Sequence, residues 1–302
     1  MGVQIIMQIV LLTVKPLFTG SKIKYMRLSI MQLTSIWLST WWIFLAMGMI
    51  GWVFSLRNKN VNNVDSIWSN FFLVAALYVA FQQPELSDRQ VLVLVLLAIW
   101  SVRLSVFLGY RNFGKAEDWR YAAMRNKRGD SFSWRSIYVV YVLQAAIAMV
   151  IFAGLLPGLL FAGEVGTREI IAAALALLGI AIEAIGDWQL FRFKADKNNV
   201  GKVLDTGLWA YTRHPNYFGE SVFWWSLFLL TVQMGTFWTI LSPVIVTFLL
   251  LRVSGVWMME KGRTGKNPVY QKYQQETSVF IPRFRKVAAS TSNQTEDKEN
   301  AL

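Results

Sequence analysis

The sequence contains no cysteine and a single histidine, His214, in 302 residues. Without cysteine there are no disulfides, thiolate nucleophiles, zinc ribbons or iron–sulfur clusters. One histidine excludes multi-histidine metal sites and bis-histidine haem, so no metal is expected. Charge is scarce as well, at 16% of residues, against about 25% in ordinary soluble domains. No internal repeat is visible, no G-x-G-x-x-G follows a strand-like run, and no nucleophile-elbow sequence is present. What is abundant is apolar: 55% of the chain is hydrophobic and 15% aromatic. A soluble fold of this length has nowhere to put so much apolar surface, so the bilayer is the expected solvent. The net charge of +12, from 30 Lys and Arg against 18 Asp and Glu, points first to loops on the cytoplasmic side of a membrane. A polyanionic ligand comes second, and nucleic acid is not expected.

Apolar stretches of roughly 17–25 residues are long enough to cross the hydrocarbon core as helices. They predict an all-α polytopic bundle of about seven transmembrane helices, at 34–56, 66–82, 90–109, 137–161, 167–190, 217–234 and 237–258. Pro243 should kink the last, because it removes a backbone donor inside a helix. Segments 110–136 and 191–216 read as longer polar loops. The loops on one side carry 2, 7, 5 and 8 Lys and Arg (57–65, 110–136, 191–216 and from 259 onward), whereas the other side's short loops carry only Arg89 and Arg168. The positive-inside rule puts the long loops and the C-terminus in the cytoplasm. The domain reading is an N-terminal segment 1–33, a membrane domain 34–284 and an unpatterned polar tail 285–302, expected to be disordered. Lys15, Lys22, Lys24 and Arg27 conflict with this orientation, and a translational start at Met26 would resolve most of the conflict.

Ionisable side chains at membrane depth are costly and become candidates for function. Arg103 falls in the third span, Glu183 and Asp187 four apart on one face of the fifth, Glu220 at the start of the sixth and Arg252 toward the end of the seventh. Taken singly, each also reads as an interfacial residue or a bundle ion pair. The densest polar stretch, 183–220, holds Arg192, Lys194, Lys197, Lys202 and Arg213 around a helix start at Pro215, a residue suited to the first turn. Cations round a helix N-terminus suit a phosphate-bearing cofactor or anionic lipid headgroups, and both stay open. With Arg213 beside it and no second histidine, His214 reads as a hydrogen-bonding partner of a phosphate or nucleotide rather than a general base. Tyr110–Tyr121 mixes both charge signs with aromatics, as a structured loop or a membrane-surface helix would. Asn62 and Asp65 stand at the mouth of the second span, lining a cavity or capping the helix.

Six motifs in order carry a family resemblance: Asn62–Trp68, Glu117–Tyr121, Glu183–Lys194, Arg213-His-Pro-Asn-Tyr-Phe-Gly-Glu220, Ser254-Gly255 and Tyr270-x-x-Tyr273-x-x-x-Thr-Ser-x-Phe-Ile-Pro282. Over roughly residues 34–284 the chain resembles the steroid 5-alpha-reductase and sterol reductase superfamily, above all its uncharacterised bacterial branch. The resemblance implies a seven-helix membrane bundle, in that branch of the bacterial inner membrane, that binds NADPH near the cytoplasmic side. It implies hydride transfer to an activated carbon–carbon double bond in a lipophilic substrate. By matched position, Arg103, Asp187, Lys194 and Arg252 become cofactor contacts. Arg213, Asn216 and Glu220 hold the nicotinamide end, and His214 and Tyr217 lie in the same motif. Arg192, Lys194, Lys202, Arg213 and Arg252 are the candidates to neutralise phosphates.

One departure stands out. Trp100 occupies the place of the tyrosine that polarises the ketone in steroid enzymes, and it has no acidic proton. Another donor must therefore serve, with Asp65 first and Tyr121 second. Glu220 would accept from the nicotinamide carboxamide. Two other classes remain: isoprenylcysteine- and phospholipid-type membrane methyltransferases using S-adenosylmethionine, which share an Arg-His-Pro-x-Tyr-x-Gly motif, and a non-catalytic lipid-binding membrane protein. The methyltransferase pattern adds paired glutamates in the last helix, where this chain has only Glu260 followed by Lys261.

Overall fold

The structure is a computed structural model and describes residues 31–253, 255–263 and 268–285. The segment before Met31, including the Met26 start, and the tail from residue 286 lie outside the described residues, as do Lys15, Lys22, Lys24 and Arg27. Eight helical runs follow in order: α1 (Met31–Asn58), α2 (Asn63–Phe81), α3 (Asp88–Asn112), α4 (Trp119–Leu160), α5 (Thr167–Ala195), α6 (Pro215–Thr231), α7 (Phe237–Lys261) and α8 (Pro268–Glu276). Among the described residues no β-strand forms, and one isolated bridge joins Thr212 to Ser278.

α1 to α5 and α7 are each long and apolar enough to cross a bilayer. They also leave large apolar side chains outside, Trp42 77% exposed and Val106 65% exposed among them, as lipid-facing helices do. The chain is a polytopic, all-helical membrane protein. The sixth expected span corresponds to α6, which at 17 residues is shorter than the other six. It stops at Thr231, where the chain turns through Gly235 at φ 86° and Thr236 Oγ1 accepts from the amide of Gln233 at 2.8 Å.

One expectation changes. The loop expected over 110–136 is helical from Trp119, with Asp118 Oδ1 accepting from the amide of Arg120 at 3.0 Å to cap the new start. α4 then runs through a 3-10 turn, a short α segment and a π segment at Ile137–Val142 before its apolar part. Pro243 lies within α7, near the beginning of the segment Leu241–Phe248 and just after the 3-10 turn Phe237–Ile240. Irregular hydrogen bonding in α7 flanks this segment, as the 3-10 turn before it and a π turn at Leu249–Val253 after it.

The chain divides into two compact units, one reaching Glu164 and including Thr231–Thr236, the other formed by Val165–Leu230 and the residues from Phe237 on. In the first unit, α2 and α3 share a polar seam. Ser101 Oγ donates to Asn70 Oδ1 at 2.9 Å, Asn70 Nδ2 to Ser105 Oγ at 2.7 Å, and Ser69 Oγ to the Ser101 carbonyl at 3.0 Å. Polar side chains that satisfy one another hold apolar helices together in lipid. Phe44, Phe71, Phe72, Trp100 and Phe152 are fully buried beside this seam, with Phe44 against Phe71 and Phe152 at ring distances of 5.7 Å.

In the second unit α5 and α6 approach backbone to backbone. A β-carbon on Gly219 would stand 2.5 Å from the Glu183 amide nitrogen, and one on Gly179 2.7 Å from the Gly219 carbonyl oxygen. Only glycine permits this crossing.

Candidate functional site

The glycine crossing sets the first part of the site. Glu183 and Asp187 lie one turn apart on α5 and point with Gly179 and Gly186 toward α6. Both are buried, Glu183 at 3% and Asp187 at 7% exposure. Pro215 opens α6 as its first residue, and a β-carbon on Gly186 would meet its ring at 3.1 Å and the Asn216 amide nitrogen at 3.2 Å. The first turn of α6 is thus docked onto α5, with Asn216 Nδ2 donating to Asp187 Oδ1 at 3.0 Å. Asp187 and Asn216, each expected separately as a cofactor contact, are thus brought together. His214 and Tyr217 stack, their rings 5.5 Å apart and 4° from parallel.

Arg213 has more partners than the sequence suggested. Its Nε and Nη2 donate to the two oxygens of Glu260 at 3.0 and 3.1 Å, and its Nη1 to the carbonyls of Gln274 and Thr277 at 2.7 Å each. Glu260 Oε1 also takes Tyr270 Oη at 3.0 Å and lies 3.1 Å from His214 Nε2, while Oε2 takes Gln274 Nε2. One carboxylate therefore ties the 213–214 corner to α7 and α8. The chain after α8 completes the attachment. The Arg213 amide donates to the Ser278 carbonyl at 2.9 Å, the Arg283 amide to the Tyr211 carbonyl at 2.9 Å, and Thr212 Oγ1 to the Phe280 carbonyl at 2.8 Å. Tyr273 Oη donates to the Trp209 carbonyl at 2.6 Å. Burial holds that phenol well above its usual range, so it remains a donor.

Beside this hub opens a cavity of about 460 Å³, within the range usual for small-molecule and cofactor sites. Phe193 and Lys194 reach it from the end of α5, and Asn199 and Lys202 from the loop that follows. Trp209, Arg213, Tyr270 and Tyr273 close the other wall. The lining combines three cations and one carboxylate, Asp196, with aromatic faces and an amide. Among the predicted cofactor residues, Lys194, Lys202 and Arg213 line it. Arg192 is exposed, with its guanidinium 5.9 Å from the Trp188 ring centre. Arg252 is exposed at the end of the π turn of α7, and Glu220 is half-buried on α6. Arg103 is half-buried on α3, in the first unit.

The first unit holds a hub of its own. Asp65 is the third residue of α2 and does not cap it. Its Oδ1 accepts from Tyr121 Oη at 2.9 Å and its Oδ2 from Arg120 Nη2 at 3.2 Å. Both carboxyl oxygens thus act as acceptors in this network. Tyr121 lies in the first turn of α4, 5% exposed, and not in a loop. Asp118 takes Arg120 Nε at 2.8 Å, and Glu117 takes Arg125 twice at 2.8 Å and the Val61 amide at 3.0 Å. Burial opposes ionisation at Glu117 and Asp118, but the arginine partners and the backbone amides outweigh it, and both carboxyls are held below their ordinary range. Asn62 closes the network, accepting from the Asp118 amide at 2.8 Å and donating to the Ala116 carbonyl at 3.1 Å. Trp100 is fully buried, edge-on to Trp68 and Phe72.

Sequence reasoning missed Glu260, Tyr270 and Gln274 as members of the site. Glu260 had registered only as the lone glutamate where membrane methyltransferases have two. The usable signal was its isolation, an acid on an apolar helix facing the Arg213-His214 pair.

The chain belongs to the family described as "Protein of unknown function (DUF1295)", whose model matches residues 51–277. It is also similar to "Uncharacterized protein C594.04c" of the yeast Schizosaccharomyces pombe, 26% identical over 275 residues that cover 79% of this chain and 77% of the yeast protein. The family match includes both hubs, from Asp65 to Glu260 and Tyr270.

Proposed function

For a member of this family with such a cavity, we propose an integral membrane reductase that uses NADPH to saturate an activated carbon–carbon double bond in a lipophilic substrate. The observation that supports the reading is the cavity beside Arg213, where Lys194 and Lys202 add two further cations to walls of Trp209, Tyr270 and Tyr273. A dinucleotide presents phosphates to such cations and flat rings to such aromatics. S-adenosylmethionine carries a sulfonium cation instead, which a lining of three cations against one carboxylate, Asp196, disfavours. The lone Glu260, already shared among Arg213, His214, Tyr270 and Gln274, also departs from the paired glutamates of the methyltransferase pattern.

Bound NADPH would supply the hydride, and a proton would have to be added as well to complete the addition across the double bond. Lys194 and Lys202 neutralise phosphate. Arg213, fixed by Glu260 and two carbonyls, gives the cavity a wall that keeps its shape when a ligand enters. Preorganised cations of this kind lower the cost of binding, since little side-chain freedom remains to be lost.

The reading is tested by titrating detergent-purified protein with NADPH and with S-adenosylmethionine. Saturable NADPH binding that weakens with added salt supports the reductase. Binding of S-adenosylmethionine alone replaces it with the methyltransferase, and binding of neither leaves a lipid-binding protein.

A further inference from the structure

Four span ends meet at one place in the first unit: α1 ends at Asn58, α2 begins at Asn63, α3 ends at Asn112 and α4 begins at Trp119. Hydrogen bonds lock them together there. Asn60 Nδ2 donates to the Lys115 carbonyl at 3.1 Å, and Arg125 Nη2 to the Lys59 carbonyl at 3.3 Å. The acids of this corner are spent internally, Asp65 and Asp118 on Arg120 and Glu117 on Arg125. Lys59, Lys115, Lys127, Arg128 and Arg135 form no ion pair with a carboxylate among the described residues. Asp130 is the one further acid in the stretch from Arg111 to Arg135.

The beginning of α4, Trp119–Arg128, is two-faced. Tyr121 and Met124 turn inward onto Val61, Val64 and Phe132. Trp119, Ala123, Asn126 and Lys127, spaced as neighbours on the opposite helix face, are exposed. Two tryptophans flank the cations, Trp119 55% and Trp134 53% exposed, the latter carrying Arg135 at 5.3 Å from its ring centre. Exposed tryptophans mark the level where a bilayer's headgroups begin, and cations at that level face the lipid phosphates. An acidic soluble partner would explain the charge but not the tryptophans at the ends of spanning helices.

We propose that this corner is a binding surface for anionic phospholipid headgroups, with Lys115, Lys127 and Arg135 as its principal contacts. It is independent of the cofactor cavity and of the reductase reading. All three side chains are exposed and outside the Asp65 network, so neutralising them leaves the internal pairs in place.

The test is native mass spectrometry of the full-length protein, delipidated in detergent and titrated with phosphatidylglycerol or phosphatidylcholine. The expected result is a preference for phosphatidylglycerol of about tenfold, lost at high salt. A Lys115→Gln/Lys127→Gln/Arg135→Gln variant should lose about tenfold or more in phosphatidylglycerol affinity, with phosphatidylcholine binding and melting temperature unchanged. A control, Lys197→Gln/Lys261→Gln in the second unit, should bind as the wild type does. Equal binding of the two lipids overturns the proposal, as does wild-type affinity in the triple variant or the same loss in the control. Binding of polyglutamate without lipid selectivity also overturns it, in favour of an acidic protein partner.

Discussion

The two charged hubs solve a similar problem with opposite stoichiometry. Around Asp65 three carboxylates share two arginines, Arg120 and Arg125, and each contact staples one connecting segment to the ends of α2 and α4. Around Glu260 a single carboxylate gathers four side chains, and two of these, Arg213 and Tyr270, also form the wall of a cavity. The first hub spends its charge on itself. The second concentrates donors at one acceptor and leaves cationic surface facing an open volume. Buried charge becomes a site only where the pairing leaves room and charge for a ligand.

That contrast predicts unequal costs. Glu260→Ala should be the most damaging change, because it strands Arg213, whose side chain is 10% exposed. Removing one member of a buried pair costs about 3–5 kcal/mol, so the purified protein should melt far lower or fail to accumulate. Glu260→Gln, which keeps an acceptor, should lose less. Equal melting of Glu260→Ala and wild type would show that the hub does not hold the second unit together.

Gly219→Val comes next. Its β-carbon would sit 2.5 Å from the Glu183 amide and 2.6 Å from the Gly179 carbonyl, both backbone atoms that yield only if the helices part. Overpacking of this kind costs about 1–3 kcal/mol, read as a lowered melting temperature. No destabilisation would mean that α5 and α6 do not cross this closely.

The smallest effect belongs to the first hub and is a matter of pH. Glu117 and Asp118 are held below their ordinary range in the folded protein. Their stabilising contribution is complete above the unfolded-state values and disappears as pH falls through the folded ones. Melting temperature should therefore decline on acidification from about pH 6 toward pH 3, and Glu117→Gln should flatten part of that decline. An unchanged acid limb in the variant would remove Glu117 from the account.

The apolar runs were legible because a span needs length and hydropathy, both visible in sequence. The start of α4 was not, since Trp119–Arg128 is charged on its outer face and its inner face, Tyr121 and Met124, is too short a stripe to stand out. Asp187 and Asn216 were legible as candidates through their motifs, but their meeting depends on glycines at 179, 186 and 219 whose facing is a property of the fold. The Glu260 hub joins residues 213, 260, 270 and 274, so no local pattern announces it. Arg213 looked like a free cation for a phosphate in the sequence, and it turned out to be a wall held by its neighbours.

The most direct test of the account is therefore made at the cations that line the cavity without belonging to the Glu260 hub. NADPH binding should be measured on the detergent-purified Lys194→Gln/Lys202→Gln variant beside wild type. Charge-assisted contacts to phosphate predict an affinity lower by about tenfold to a hundredfold, with an unchanged melting temperature because both lysines are exposed. Wild-type affinity in that variant would contradict the assignment of this cavity to the cofactor.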